Sequence, residues 1–249
     1  VNLGGEDTND DGIADIDIQV IVTIDDANLS LKSDGFVGEV SGAAALNVPG
    51  FASSLSGLSV RINTTGDPSD TGIPANSIRV VADGASINIL GQTLSGNFAF
   101  EQITGQLSPQ APPNAVPPKT VRIAASDVRF FLGDSTAGSE AGVKFGRDAP
   151  GGGGSGFFVL TSTGLAGRLN GFVDVMIPGG NADFEGDFSV AINTSLEPVG
   201  EQFEVGGKSV NLVLPGGPYL RVEGTGINLS IAGQRVGGDF IFEQAEGNI

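Results

Sequence analysis

The sequence predicts an all-β protein made of two tandem antiparallel repeats, each folded as a β-sandwich or a β-roll. Three observations favour this fold. Apolar residues alternate with polar ones, glycines separate the alternating segments, and the second half of the chain repeats the first. The alternative is one continuous β-solenoid through both halves, but the regular coil spacing that a solenoid requires is missing.

The internal repeat is visible as residues that recur at fixed distances. Residues matched at a distance of 142 are Arg79, Gly84, Gly91, Gly96, Phe98, Phe100, Glu101 and Arg221, Gly226, Gly233, Gly238, Phe240, Phe242, Glu243. Gly38 and Gly42 match Gly167 and Gly171 at 129, and a weaker match at 99 joins Val22, Ile24 and Leu29 to Val121, Ile123 and Val128. We therefore expect insertions of about 30, 1 and 12 residues in the loops of the second copy.

The repeat divides the chain into four parts: a linker at 1–18, a first β repeat at 19–107, a second linker at 108–118 and a second β repeat at 119–249. Five prolines in Ser108–Lys119 make the second linker stiff and extended. Alternation predicts strands from about residue 18 onward and over 36–48, 57–64, 77–90, 94–103, 121–132, 142–145, 157–163, 165–177, 182–193, 209–214, 219–231 and 236–244.

One predicted hairpin, Ser86–Phe100, turns at Gly91–Gln92 and directs Phe98 and Phe100 inward. Alternation then directs Glu101 and Arg79 outward, together with their counterparts Glu243 and Arg221. Each Arg/Glu pair is interpreted as a solvent-exposed cross-strand ion pair. A catalytic role is the alternative, but a hydrolase rarely needs its acid twice in symmetric positions.

The N-terminal linker contains an oxygen-rich loop that suits Ca²⁺, a cation that accepts six to eight oxygen ligands. The expected ligands are the side chains of Asp7, Asn9, Asp11, Asp15 and Asp17 and the carbonyl of Ile13. Gly12 allows the sharp turn around the ion. The string resembles loops of thrombospondin type 3 repeats and of bacterial calcium-binding linkers. Ile18 occupies the position where an EF-hand has Glu or Asp, and no flanking helices are evident.

Composition limits the function. The net charge of −17 opposes binding to nucleic acid and to anionic membranes, and it attracts divalent cations. Histidine and cysteine are absent, so their chemistry is excluded, and we expect no enzyme. No apolar run is long enough to span a bilayer.

Other polar motifs have simpler interpretations. Asp174, Asp183, Glu185 and Asp187 alternate with apolar residues and are expected on a solvent-exposed face. Pro150–Gly156 is expected to be a flexible loop, since no Lys-Ser/Thr of a phosphate loop follows it. Asn63 and Asn193 begin glycosylation-like sequons within strands, where side-chain pairing is the better explanation.

The segment Leu214–Gln244, LPGGPYLRVEGTGINLSIAGQRVGGDFIFEQ, and its partner Ser77–Gln102 resemble a repeat of very large, tandemly repetitive, secreted surface proteins of aquatic bacteria. The resemblance covers roughly residues 20–244. It implies an extracellular, adhesin-like or filament-forming segment at the cell surface, with neighbouring repeats as partners and no catalytic residues. The first copy lacks the Leu-Pro-Gly-Gly-Pro-Tyr stretch.

The alternative function is a binding module for polysaccharide or for another surface protein. A glycan site needs exposed aromatic rings, and Tyr219 is the single tyrosine available to test it. Exposed sheet edges would also allow chain-to-chain pairing into a fibre.

Overall fold

The chain is all-β and antiparallel, which confirms the predicted fold class. The computed structural model describes residues 2–3, 18–48, 51–68, 73–89, 92–107, 110, 112, 114–134, 141–177 and 182–245. Its strands are β1 (Asn2–Leu3), β2 (Ile18–Lys32), β3 (Gly35–Val48), β4 (Phe51–Asn63), β5 (Ser77–Ile89), β6 (Gln92–Thr104), β7 (Lys119–Asp134), β8 (Ala141–Phe145), β9 (Gly154–Thr161), β10 (Gly164–Met176), β11 (Ala182–Asn193), β12 (Val199–Val205), β13 (Lys208–Leu214), β14 (Tyr219–Ile231) and β15 (Gln234–Ala245).

In the described part of the chain, thirteen strands form one sheet, and β12 and β13 form a separate hairpin. Neighbours along the chain are neighbours in the sheet, so the sheet is an antiparallel meander rather than the alternative solenoid. β8 and β9 share one position between β7 and β10, since β8 pairs with one end of these two strands and β9 with the other. The sheet therefore has eleven positions from β2 to β15.

The sheet is continuous across the boundary that the sequence places between the two repeats. β6 pairs with β7 along its length, from Leu94 opposite Phe130 to Thr104 opposite Lys119. The proline-rich segment 108–118 thus connects two adjacent strands. The β12–β13 hairpin packs on one face of this sheet as a second layer, which makes the structure sandwich-like.

The two longer insertions of the second half contain strands, so the expectation that they lengthen only loops was wrong. The longer insertion adds a strand position, and the shorter one builds the β12–β13 hairpin. In the first half, β2 pairs with β3, and Leu29 lies opposite Gly38. In the second half, the strand that pairs with β10 in the same way is β9 and not β7, because Phe158 lies opposite Gly167. The structural counterpart of β2 is therefore β9, which replaces the weak match at a distance of 99.

The added position places corresponding strands in the same direction. β3, β4, β5 and β6 are followed six positions later by β10, β11, β14 and β15. Because neighbours are antiparallel throughout, a displacement of six positions restores both strand direction and the face to which each side chain points.

The sheet has two unlike faces, which we name the hairpin face and the apolar face. The hairpin face is the side that β12 and β13 cover, and it contains Ala99, Glu101 and Phe157. The apolar face contains the alternate residues, among them Phe98 and Phe100. The prediction that these two phenylalanines point into a core was wrong for Phe100, which is exposed on an uncovered face.

The core lies between the hairpin and the sheet. Its buried members are Ala99, Ala124, Phe157, Val159, Ala166, Ala191, Phe203, Val205, Leu212, Leu214 and Tyr219. Small residues dominate the sheet side, which allows the hairpin to approach closely. Burial of the hairpin's larger side chains contributes about 1.5–3 kcal/mol each.

Two buried asparagines hold the loops that follow β4 and β11. Asn63 donates hydrogen bonds to the carbonyls of Asp67 and Ile73 (2.9 and 3.1 Å). Asn193 donates to those of Glu197 and Pro215 (2.9 and 2.7 Å). Both side chains have no solvent exposure, so they are structural anchors rather than glycosylation sites.

Candidate functional site

The predicted calcium ligands, Asp7, Asn9, Asp11, Ile13, Asp15 and Asp17, all lie outside the described residues. Within the described ranges, no three acidic side chains are placed to hold a metal ion together. The calcium loop stays a prediction.

The acidic residues of β10 and β11 lie on the hairpin face, beyond the edge of the hairpin. Asp174 lies opposite Glu185 on one side and opposite Lys144 on the other. Asp183 and Asp187 are exposed as predicted, whereas Asp174 and Glu185 are half-buried. Partial burial raises the pKa of Asp174, and the negative charges of Asp183 and Glu185 raise it further.

A row of charged side chains crosses five strands of the hairpin face, from β3 to β7. Its members, in order, are Glu39, Arg61, Arg79, Glu101 and Arg122. At the first end, burial opposes ionisation, but hydrogen bonds from Arg61 and Ser59 lower the pKa of Glu39 below its ordinary value. The row thus contains two ion pairs, Glu39–Arg61 at its first end and Glu101–Arg122 at the β6–β7 junction.

At the junction itself, Arg122 on β7 makes two ion pairs. One joins it to Glu101 on β6 (2.8 Å), and the other joins it to Glu201 on the hairpin (2.9 Å). Glu101 is only 3% exposed. A carboxylate buried in this way depends on its partner, because an unpaired buried charge is costly.

The predicted Arg79/Glu101 pair has the right register but the wrong partner. Arg79 lies opposite Glu101, yet Glu101 bonds Arg122, and the hairpin removes it from solvent. Arg79 instead donates to the carbonyl of Glu204 (2.7 Å) and lies 4.3 Å from the ring centroid of Phe203. Alternation along the strands does not predict that the hairpin covers this position.

The equivalent pair in the second half forms as predicted. Arg221 bonds Glu243 at 2.9 Å, and both side chains are partly exposed. The hydrogen bonds that Arg221 donates to Glu223 raise the pKa of Arg221. The two Arg/Glu pairs differ because the hairpin covers one and leaves the other in solvent.

Further contacts fix the hairpin over the junction. The hydroxyl of Ser126 on β7 donates to the carbonyl of Val205 (3.1 Å), and Lys208 pairs with Asp127 at 2.6 Å. The hairpin follows β11 in the second half, yet its turn reaches β6 and β7. It therefore joins the two halves by side chains, in addition to the backbone ladder.

Alternation predicts only the β13 half of the hairpin, so Arg122, Glu201 and Phe203 could not be recognised as site residues. The sequence does contain a signal for the hairpin turn, the consecutive glycines Gly206 and Gly207. In the structure both have positive φ, of 57° and 68°. Two consecutive residues of this kind between alternating segments are typical of a type I′ hairpin turn.

A groove of about 460 Å³ lies beside the loop 146–153. Arg147 forms two hydrogen bonds to Asp187 (2.8 and 2.9 Å), and its guanidinium lies 3.8 Å from the ring centroid of Phe172. The bond to Asp187 raises the pKa of Arg147. Pro150–Gly156 was predicted to be a flexible loop, but its last three residues begin β9. The residues just before it are attached to the sheet, since Arg129 donates hydrogen bonds to the carbonyls of Arg147 and Ala149.

Tyr219 offers no ring to a sugar, since it is buried beneath the hairpin. No protein-family model matches the chain, and neither a curated protein nor a solved structure is significantly similar to it. The described residues contain no helix able to cross a membrane.

We expect Glu101→Gln to lower the free energy of unfolding by about 3 kcal/mol, because it removes the charge of the buried Glu101 and leaves the half-buried Arg122 with one ionic partner fewer. Urea denaturation measures this loss. The matched variant Glu243→Gln, at the exposed counterpart, should cost about 0.5 kcal/mol or less. Equal losses in the two variants would contradict the burial of the junction.

We expect Asp174→Asn to raise the melting temperature at pH 7 but not at pH 3. The raised pKa of Asp174 means that the folded state favours the protonated form, so its ionisation destabilises the fold as pH rises through that pKa. Asp67→Asn, in an exposed loop, serves as the control. A gain that is the same at both pH values would contradict this account.

Proposed function

We propose that this chain is a structural segment of an extracellular bacterial surface protein, such as an adhesin, stalk or filament. Its working element is a β-sheet that grows by whole units along the chain. The observation that carries the proposal is the β6–β7 ladder, which joins the two halves in one sheet instead of leaving them as separate domains.

Matched hydrogen bonds support the interpretation of the halves as copies. Thr64 caps the start of β3, where its hydroxyl accepts from the amide of Phe36 (2.9 Å), and Thr194 does the same for Leu165 at the start of β10 (2.9 Å). The bulge glycines also correspond: the amide of Gly84 donates to Asn97, and that of Gly226 donates to Asp239. Both glycines have positive φ, of 58° and 61°.

The edge at β15 supports growth beyond the two halves. β15 corresponds to β6, and the edge of β6 that binds β7 is, on β15, without a strand partner in the described part of the chain. Its natural partner is the first strand of a neighbouring repeat. Each further unit of six positions would lengthen the sheet by about 29 Å, at ~4.8 Å per strand.

The acidic charge fits a secreted position and gives calcium its role in the proposal. A net charge of −17 attracts divalent cations. Calcium bound at Asp7–Asp17 would neutralise part of this charge and stiffen the entry to the first repeat.

The alternative is a polysaccharide-binding module, and the groove beside Arg147 is the observation that favours it. Asn170, Ser155 and Thr225 line this groove and could bond sugar hydroxyls. Binding of a glycan array that Asn170→Ala abolishes would favour this alternative, whereas absence of glycan binding would remove it.

We expect sheet growth when residues 105–245 are appended after Ala245, which recreates the β6–linker–β7 arrangement at β15. The maximum dimension from small-angle scattering should increase by about 29 Å, and the amides of β15 should gain protection from hydrogen exchange.

The control for this extension replaces Ala124 and Ala125 of the appended copy by proline, which cannot donate to a ladder. The β15 amides should then exchange as in the parent chain. Exchange that is equally fast in the extended chain and its proline control would contradict the proposal.

We expect calcium to raise the melting temperature, with saturating ion contributing about 2.7 kcal/mol at a hundredfold excess over its dissociation constant. The double variant Asp7→Ala/Asp11→Ala should abolish both this shift and the heat of binding in calorimetry. Asp25→Ala/Asp26→Ala, outside the loop, should retain both. No calcium-dependent change in the parent chain would reject the calcium role.

A further inference from the structure

The apolar face is unusual because its interior carries no charge. Apart from bulge and terminal positions, the described strands place no Asp, Glu, Lys or Arg on it, by their register and alternation. One row that crosses the sheet reads Val40, Val60, Val80, Phe100, Ile123, Phe158, Gly167, Ile192 and Leu220. The hairpin lies on the opposite face.

Large side chains of this face are accessible to solvent. Ile123 is 45% exposed, Leu169 41%, Leu160 49% and Phe242 54%. Soluble monomers rarely expose more than a few hundred Å² of contiguous apolar surface. Eleven strands of about 12 residues give this face an area of roughly 2,000 Å². A standard protein interface needs about 800 Å² from each partner.

Glycines make the face even enough to pack against a flat partner. A side chain at Gly167 would overlap the ring of Phe158, and one at Gly224 would overlap the ring of Phe240. Phe145 covers Gly154 and Gly171 in the same way. The rings therefore lie over neighbouring glycines, which suits the ~10 Å separation of packed sheets.

We propose that the apolar face packs against the same face of a second copy of this chain, so that two single sheets form one two-layered sandwich. This inference is independent of sheet growth through the β15 edge, because it uses a face and not an edge. An isologous pairing of this kind is the commonest arrangement of soluble dimers.

Charge favours a second copy over a lipid surface as the occupant. The face has no interior Lys or Arg for phosphate headgroups, the chain has no Trp, and Tyr219 lies on the hairpin face. Acidic residues such as Glu185, Asp187 and Glu223 lie on the hairpin face. Face-to-face packing therefore directs these charges outward, away from each other.

Sedimentation of the full chain tests this proposal, and we expect a dimer at micromolar concentration. The double variant Ile123→Lys/Leu169→Lys places two charges on the apolar face and should weaken dimerisation at least 100-fold. The matched control, Leu196→Lys/Val213→Lys, changes exposed apolar residues off this face and should remain dimeric. A parent chain that is monomeric at 100 µM would overturn the proposal.

A distance measurement keeps the proposal testable if the lysine variant fails to fold. The chain has no cysteine, so single spin labels can be introduced at Ile123→Cys or Val213→Cys. β7 is the central strand position, so labels at 123 should lie within about 25 Å of each other across the pair. Labels at 213, on the outside of the hairpins, should be separated by at least about 30 Å.

Two results would reject the second copy as occupant. One is a dimer in which labels at 123 are farther apart than labels at 213. The other is a monomer that binds phosphatidylcholine vesicles through this face, as shown by loss of binding in Ile123→Lys/Leu169→Lys; the occupant would then be a lipid surface.

Discussion

The backbone ladder between β6 and β7 is the interaction on which the other features of the structure depend. It joins the two halves into one sheet. A single sheet has two broad faces, and each of them must either be covered or be exposed to solvent. The β12–β13 hairpin covers part of one face and adds Arg122–Glu201 and Lys208–Asp127 contacts directly above the ladder. The other face remains apolar along its length.

The location of the hairpin explains why equivalent residues differ in their surroundings. Glu101 and Glu243 occupy corresponding positions, and each faces an arginine across the ladder. A carboxylate under the hairpin must be fully paired, whereas one in solvent gains little from its partner. A buried electrostatic network thus arises in one half without any change in the underlying strand pattern.

Much of the fold could be predicted from alternation and glycine spacing alone. The predicted segment 219–231 coincides with β14, and 182–193 coincides with β11. Alternation does not specify which face is covered, so the exposure of Phe100 and the burial of Glu101 could not be predicted. Arg122 could not be recognised as a site residue either, because its second partner comes from a hairpin 79 residues away.

The extra strand position of the second half, which makes corresponding strands six positions apart instead of five, has a consequence for how such a protein can be lengthened. When an odd number of strands is added to a meander, every following strand reverses its direction. The acidic and apolar faces then exchange sides from one module to the next. An even number preserves the polarity of the whole ribbon. Once the displacement between corresponding strands is even, as it is here, further insertions that survive in a ribbon of this type should therefore arrive in pairs of strands, or as outlying hairpins that leave the count unchanged.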